Sequence, residues 1–146
     1  MFDFITDRTQ ADVDRASELS TKGWDNMTAA EKEEWLAGLK GAYNYTDFNR
    51  VEMAIAHLSK EFGLGLTTKT DWTMWDIPKQ TDLDRFIGNI VAVRSIASVY
   101  TATPTTPKSI NKMTYAVAND IEKILKDITI IEPSLFRFDE LYCGEV

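Results

Sequence analysis

The chain has 146 residues, a formal net charge of −7 and a sequence pI of about 4.7. This length fits a single domain, and a hydrophobic content of 44% is enough for a globular core. The negative charge disfavours nucleic acid and anionic membranes as partners, since both would repel it. From the residues we expect neither a signal peptide nor a bilayer-spanning segment.

The first two predicted helices have clear start signals. Thr9 precedes an acid-rich first turn, and Thr28 with Glu31 has the spacing of a capping box, in which hydroxyl and carboxylate cap the helix reciprocally. Gly23 is predicted to end the first helix and Gly41 the second, because glycine readily takes the left-handed conformation found after helices.

A third helix is predicted from Thr46, which would cap it, to about Phe62. Its apolar residues recur at the three- and four-residue spacing of a core-facing helix, namely Val51, Ile55, Leu58 and Phe62. Residues 67–80 contain Trp72, Trp75 and a proline but show no helical period. We therefore expect an extended connection that crosses the bundle.

Two further helices are predicted in the C-terminal half. Thr81 would cap the fourth, which starts as TDLDRF and so echoes TDFNRV at the start of the third. Shared capping chemistry explains this echo better than duplication does. The fifth is predicted to begin at Thr114 and to end at Pro133, and the alternating tail after it favours a short strand or an extended arm.

These elements predict an all-α protein, a small bundle of about five helices with extended N- and C-terminal segments and an aromatic crossing loop. We expect one domain over residues 1–146. Its parts are an N-terminal arm at 1–8, three helices within 9–66, the extended connection at 67–80, two helices within 81–132 and a C-terminal arm at 133–146.

Residues 41–52, with the sequence GAYNYTDFNRVE, are the most distinctive stretch of the chain. We interpret them as a structural corner between two helices. Two tyrosines would fill the corner, a threonine and an aspartate would start the next helix, and an asparagine and an arginine would bond the neighbouring connection. In order, the corner residues are Gly41, Tyr43, Tyr45, Thr46, Asp47, Asn49 and Arg50.

The residues predict no catalytic group, no cofactor and no metal site. His57 is the only histidine and lies off the apolar stripe of its helix, which favours a solvated side chain over a catalytic base. Most carboxylates lie in first helical turns or on polar faces, where helix dipoles and solubility explain them better than a hydrolase pair does. Cys143 is the only cysteine, so one chain cannot form an internal disulfide. Trp35 and Phe48 are expected in the core.

Four segments are distinctive enough to compare with known families: ITDRTQADVDRASEL, GWDNMTAAEKEEWLAGLKGAYNYTDFNRVE, KTDWTMWDIP and FDELYCGEV. Together they resemble a family of phage and prophage structural proteins of Gram-positive bacteria, encoded among tail and baseplate genes. The resemblance runs from Ile5 to about Glu145 and implies a virion component without enzymatic activity. One departure is Trp75, where the family pattern has an acidic residue.

From this resemblance we expect a structural or adaptor component of a phage tail tip or baseplate, assembled in the host cytoplasm and located in the virion tail. It would dock to other tail proteins and form a homo-oligomer within a symmetric assembly, without nucleic acid or membrane. The candidate interface residues are aromatic: Phe2, Phe4, Trp72, Trp75, Phe136, Phe138 and Tyr142. Two alternatives stay open, a host-recognition module that binds cell-wall carbohydrate and a small phage-encoded inhibitor of a host protein.

Overall fold

The computed structural model describes the backbone of residues 2–143 and the side chains of residues 2–132. Its helices are α1 (Gln10–Lys22), α2 (Ala29–Ala37), α3 (Tyr45–Glu61), α4 (Gln80–Ile96) and α5 (Tyr115–Cys143), with a 3₁₀ turn at Trp24–Asn26. Residues 2–143 contain no strand, so the predicted all-α class is confirmed. Within the same residues, no helix combines the length and the apolar character needed to cross a bilayer.

Capping side chains set the starts of α1 and α2 as predicted. Thr9 accepts a hydrogen bond from the backbone N–H of Asp12, whose carboxylate accepts from the N–H of Thr9 in return. Thr28 and Glu31 form the same reciprocal box. Gly23 ends α1 with φ at 78°, a conformation that favours glycine.

The start of α3 is capped by a different residue from the one predicted. Asn44 Oδ1 accepts from the backbone N–H of Thr46 at 2.9 Å, and Asp47 Oδ2 accepts from the N–H of Asn44 at 2.9 Å. The prediction of Thr46 as the cap is therefore wrong. Asparagine caps at least as well as threonine, and Asn44 has its carboxylate partner three residues later, at Asp47.

Two predictions for the C-terminal half are also wrong. Helix α4 begins one residue before the expected Thr81 cap, because Asp82 accepts from the backbone N–H of Lys79 at 2.9 Å and so caps the helix earlier. Helix α5 continues through Pro133 to Cys143, where we expected a helix end followed by an extended arm. The apolar residues after Pro133 fit three- and four-residue spacing as well as alternation, and a proline removes only a single backbone hydrogen bond.

Gly41 does not end α2, contrary to the prediction. The helix ends at Ala37, and Gly38 follows it with φ at 90°. A Cβ atom at Gly41 would lie 2.0 Å from the backbone oxygen of Asp12. Gly41 therefore allows the loop after α2 to touch the backbone of α1.

Helices α3, α4 and α5 enclose the hydrophobic core. Helices α3 and α5 run in the same direction, because Arg50 contacts Glu122 near their starts and His57 contacts Glu132 further along. The apolar face predicted for α3 does line the core, and apolar residues of α4 and α5 line it as well. Its buried members are Val51, Ala54, Ile55, Leu58, Phe86, Ile87, Ile90, Val93, Ile110, Ile121, Ile124, Leu125 and Ile128.

Residues 62–79, which we call the crossing segment, return along α3 from its end to its start. The backbone N–H of Leu66 donates to Ser59 Oγ at 2.9 Å, and that of Lys69 donates to the Glu52 carboxylate at 3.2 Å. Nearer the start of α3, Asn49 bonds to the crossing segment as well. The crossing segment is therefore fixed to α3 by side chains of α3, without being a regular element itself.

The N-terminal residues 2–9 are extended and lie on the bundle. The backbone N–H of Ile5 donates to Glu122 Oε2 at 2.7 Å, and Asn119 exchanges two hydrogen bonds with the backbone of Arg8. Phe2 and Phe4 are partly buried against the core. In the single chain this segment is thus part of the bundle.

Candidate functional site

A groove of about 440 Å³ opens at the corner between α2 and α3. The end of α2 and the loop after it form one wall, and the crossing segment forms the other. We call this the corner groove. Its size is in the range of pockets that hold a small ligand or a few side chains of a partner. Its larger apolar and aromatic lining residues are Trp35, Leu36, Tyr43, Tyr45, Phe48, Trp72, Met74 and Pro78.

Aromatic side chains form the floor of the corner groove. The rings of Phe48 and Tyr43 are nearly perpendicular, with centroids 4.9 Å apart, and the Phe48 ring lies 5.5 Å from that of Trp72 and 5.4 Å from that of Phe86. Asn49 holds Trp72 in place, since its side chain donates to the carbonyl of Trp72 at 2.9 Å and accepts from the N–H of Trp72 at 2.8 Å. The floor is therefore built into the core and is present before any partner binds.

The rim of the corner groove exposes large apolar side chains. Leu36 and Met74 are 72% and 65% exposed, and Trp35, which we expected in the core, is exposed as well. Trp75 and Ile77 do not line the groove themselves but are the chain neighbours of lining residues of the crossing segment, and they are 84% and 85% exposed. Neighbouring large apolar side chains that are exposed together are typical of binding surfaces.

Two buried polar atoms at the floor, Tyr43 Oη and Trp72 Nε1, have no hydrogen-bond partner among residues 2–132. Burial, with smaller effects from Glu122 and Asp47, raises the pKa of Tyr43 well above its usual value, so the phenol stays protonated. Burial raises the pKa of Glu52, and the nearby Trp72 N–H, which is outside hydrogen-bond geometry, opposes that rise only slightly.

Among the described lining residues, Asp76 is the one that carries a carboxylate, and this group already accepts hydrogen bonds from within the chain. It accepts from the backbone N–H of Thr73 at 2.7 Å and from the Thr73 hydroxyl at 3.0 Å, and these bonds lower the pKa of Asp76. The carboxylate therefore holds the turn that carries Trp75. Within the described residues, the corner groove offers shape and apolar surface without an acid–base pair.

A buried charge network supports the corner groove from the side of α5. Arg8 Nη2 donates to Asp47 Oδ1 at 3.0 Å and to Glu122 Oε1 at 2.7 Å, and Arg50 Nη2 donates to the same two oxygens at 2.5 and 2.7 Å. The Arg8 guanidinium also donates to two backbone carbonyls. Two cations and two anions thus balance, as buried charges must. The charge network fixes the N-terminal segment, α3 and α5 to one another.

The predicted corner residues come together, but three of them, Arg50, Asp47 and Tyr45, have roles or positions that we did not predict. Asn49 bonds the crossing segment as expected, whereas Arg50 turns away from it to the charge network. Asp47 both caps α3 and joins that network. Tyr45 is exposed at the rim of the groove instead of filling the corner.

The candidate interface residues fall into separate places. Trp72 is only 6% exposed and belongs to the floor, whereas Trp75 is free at the surface. Phe2 and Phe4 pack on the bundle, away from the corner groove. The side chains of the remaining three, Phe136, Phe138 and Tyr142, lie outside those that the structure describes.

Sequence reasoning missed the buried charges at Arg8, Glu52 and Glu122. For Glu122 a signal exists, since it lies four residues after Ala118 and three before Leu125, on the apolar face of α5. Arg8 lies in a segment without periodicity, so no pattern marks it.

No protein-family model, no curated protein and no solved structure matches the chain. The resemblance to phage structural proteins therefore depends on the sequence segments alone. The corner groove is the feature of the fold that bears most directly on function.

Proposed function

We propose that this protein is a non-enzymatic structural or adaptor component of a bacteriophage tail tip or baseplate, and that it binds a neighbouring tail protein in the corner groove. The observation that carries the proposal is the exposed rim around a preformed aromatic floor. A partner segment with one or two large apolar side chains would fill the groove and cover Trp75 and Ile77. Interfaces of this kind draw most of their energy from a few such anchors.

The polar side chains near the corner groove bond to other parts of the chain, and this supports a binding role for the groove. Asp76, Asn49 and the charge network all hold the chain in its own conformation. Tyr43 stays protonated and buried, so it is not a base. Because these polar groups make the groove rigid, little conformational entropy is lost when a partner binds, and this suits an adaptor protein.

Charge favours a different tail protein over a second copy as the occupant of the groove. The chain has a net charge of −7, so two copies repel each other, whereas a partner with basic residues beside its apolar segment is attracted. The copies required by a symmetric tail would then be arranged through that partner.

The test is to purify particles of the phage that encodes the chain and to probe them with a specific antibody. We expect the protein in the particles, and we expect the Trp75→Ala/Ile77→Ala double variant to bind its co-purifying partner at least about tenfold more weakly, as for loss of interface anchors. Ile96→Ala is the matched control, since Ile96 is exposed on α4 away from the lining of the groove. A protein absent from the particles would refute the proposal.

A second candidate is a carbohydrate-binding module for host recognition. The observation that favours it is the free indole of Trp75 with Trp35 on the nearby rim, since exposed rings can stack on sugars. Titration with cell-wall polysaccharide would then change the tryptophan fluorescence, and Trp75→Ala would abolish the change. An unchanged spectrum in the native protein removes this candidate.

A further inference from the structure

We propose that His57, Glu61 and Glu132 form a binding site for a divalent cation of the zinc class. His57 and Glu61 lie one turn apart on the same face of α3, and Glu132 faces them from α5. One ligand atom from each side chain lies within 4.8 Å of the other two. This cluster is distinct from the corner groove, whose lining includes none of the three.

The distances fit a metal site that needs only small side-chain movements. His57 Nε2 lies 3.5 Å from Glu132 Oε2. Two ligands at about 2.0–2.2 Å from a tetrahedral zinc ion are themselves separated by about 3.3–3.6 Å. Glu61 is exposed at the end of α3, so its carboxylate can rotate inward to complete the set.

Glu132 gives the independent reason to expect a cation. Its side chain is only 9% exposed, and within residues 2–132 it makes no hydrogen bond and contacts no lysine or arginine. The other buried carboxylates of this part of the chain each have such a partner: Asp47 and Glu122 with Arg8 and Arg50, Glu52 with Arg85, and Asp127 with Lys123. Glu132 faces an imidazole and a second carboxylate instead, which a divalent cation would balance.

The surroundings of His57 suit a metal ligand. The Phe2 ring packs against the imidazole with centroids 5.9 Å apart and limits its rotation. His57 is nevertheless partly exposed, which gives an ion a path from solvent and leaves a coordination position for water. One imidazole with two carboxylates favours zinc, cobalt or nickel over calcium and magnesium, which prefer oxygen ligands alone.

The single histidine of the chain makes the site directly testable. Uniformly ¹⁵N-labelled protein, free of any polyhistidine tag, is titrated with Zn²⁺ at pH 7.5 and observed through its one pair of imidazole nitrogen resonances. We expect the Nε2 resonance to shift on addition of one equivalent of zinc and to return on addition of a chelator. An imidazole spectrum that does not respond to zinc would overturn the proposal.

Variants then test each ligand by calorimetry. Loss of a group that only orients a metal ligand weakens binding about 10–100-fold, so His57→Ala and Glu132→Gln should each weaken zinc binding by at least tenfold. Glu18→Gln is the control, because Glu18 is an exposed carboxylate of α1 that pairs with Arg15. Glu61→Gln should also weaken zinc binding. Because Glu61 is exposed, this substitution should leave the packing of the core unchanged. Equal affinity in the native protein and His57→Ala would show that zinc binds elsewhere and would overturn the assignment.

Discussion

Gly41 shows how one residue without a side chain decides the position of a loop. The backbone of the corner approaches α1 so closely that any Cβ at Gly41 would meet the carbonyl group of Asp12. We predict that Gly41→Ala lowers the free energy of unfolding by about 1–3 kcal/mol, the usual cost of overpacking. Urea unfolding followed by circular dichroism measures it.

Gly88→Ala provides the control for that substitution. Gly88 lies within α4, and a Cβ there has open space around it. Alanine should stabilise the helix by about 0.5–1 kcal/mol, because glycine has the greater conformational entropy to lose on folding. If Gly41→Ala and Gly88→Ala change the free energy of unfolding in the same direction, the close approach to Asp12 does not explain the need for glycine at position 41.

Asn44 and Thr46 both lie at the start of α3, but Asn44 is the residue that caps the helix. Asn44 accepts a hydrogen bond from a backbone N–H that the helix leaves unpaired, whereas the Thr46 hydroxyl only contacts the Asn44 side chain. We therefore predict that Asn44→Ala lowers the free energy of unfolding by about 1 kcal/mol. Thr46→Ala should cost less than half of that. Thermal unfolding of the two variants decides between them, and a larger loss for Thr46→Ala would contradict the assignment of the cap.

At the scale of elements, the charge network holds the N-terminal segment on α3 and α5. Removing Arg8 would leave Asp47 and Glu122 to share only Arg50 in a buried site. We predict that Arg8→Ala lowers the free energy of unfolding by about 3–5 kcal/mol, as for other broken buried ion pairs. Amide hydrogen exchange should also become faster at Ile5, whose N–H donates to Glu122.

Lys40→Ala is the control for Arg8→Ala. Lys40 pairs with Asp7, which is largely exposed, so solvent already screens this interaction and its loss should be small. A stability loss for Lys40→Ala as large as that for Arg8→Ala would mean that charge alone, without burial, explains the effect.

The Glu31 carboxylate at the start of α2 predicts that the stability of the folded protein depends on pH. The Lys22 ammonium, 2.8 Å away, and the backbone N–H of Thr28 lower the pKa of Glu31 from an ordinary 4.5 to about 2. A lowered folded-state pKa stabilises the protein above pH 4.5, and this stabilisation is lost as the pH falls towards 2. The melting temperature of the native protein should therefore exceed that of Glu31→Gln at pH 6, and the gap should close near pH 2.

The matched control is Glu33→Gln, which removes the same charge from an exposed position of the same helix. It should show a smaller gap at pH 6, because Glu33 has no ion pair among the described contacts. A gap for Glu31→Gln that stays constant from pH 6 to pH 2 would contradict the assigned role of the carboxylate.

Local sequence patterns predicted the helices well where the residues fit a single pattern. They predicted them poorly where the residues fit two patterns equally well. The helix starts after Thr9 and Thr28 and the apolar face of α3 are properties of short sequence windows. The tail after Pro133 fits both alternation and helical spacing, so its helix could not be chosen from the pattern alone. Asp47 resembled an ordinary first-turn acid, because burial by Arg8 and Glu122 depends on distant parts of the chain.

At the scale of the whole molecule, the corner groove could not be predicted from sequence for the same reason. Trp35 is exposed and Trp72 is buried, although both are tryptophans in aromatic surroundings. Which ring is covered depends on the path of the crossing segment, and that path is set by side chains of α3 such as Asn49. The sequence indicated that aromatic residues gather in this region, and the fold determines which of them a partner can reach.

The net charge and the exposed rim together predict a salt-dependent association. At low ionic strength the charge of −7 should keep the 16.6 kDa chain monomeric, since charges repel over a Debye length of about 10 Å at 0.1 M salt. At 1 M salt that length falls to about 3 Å, and we expect the rim to drive weak self-association, measured as a rise in mass by light scattering. Trp75→Ser/Ile77→Ser should remain monomeric, whereas Ile130→Ser, at another exposed apolar residue, should behave like the native protein. If the double variant associates as the native protein does, the rim is not the surface through which copies meet.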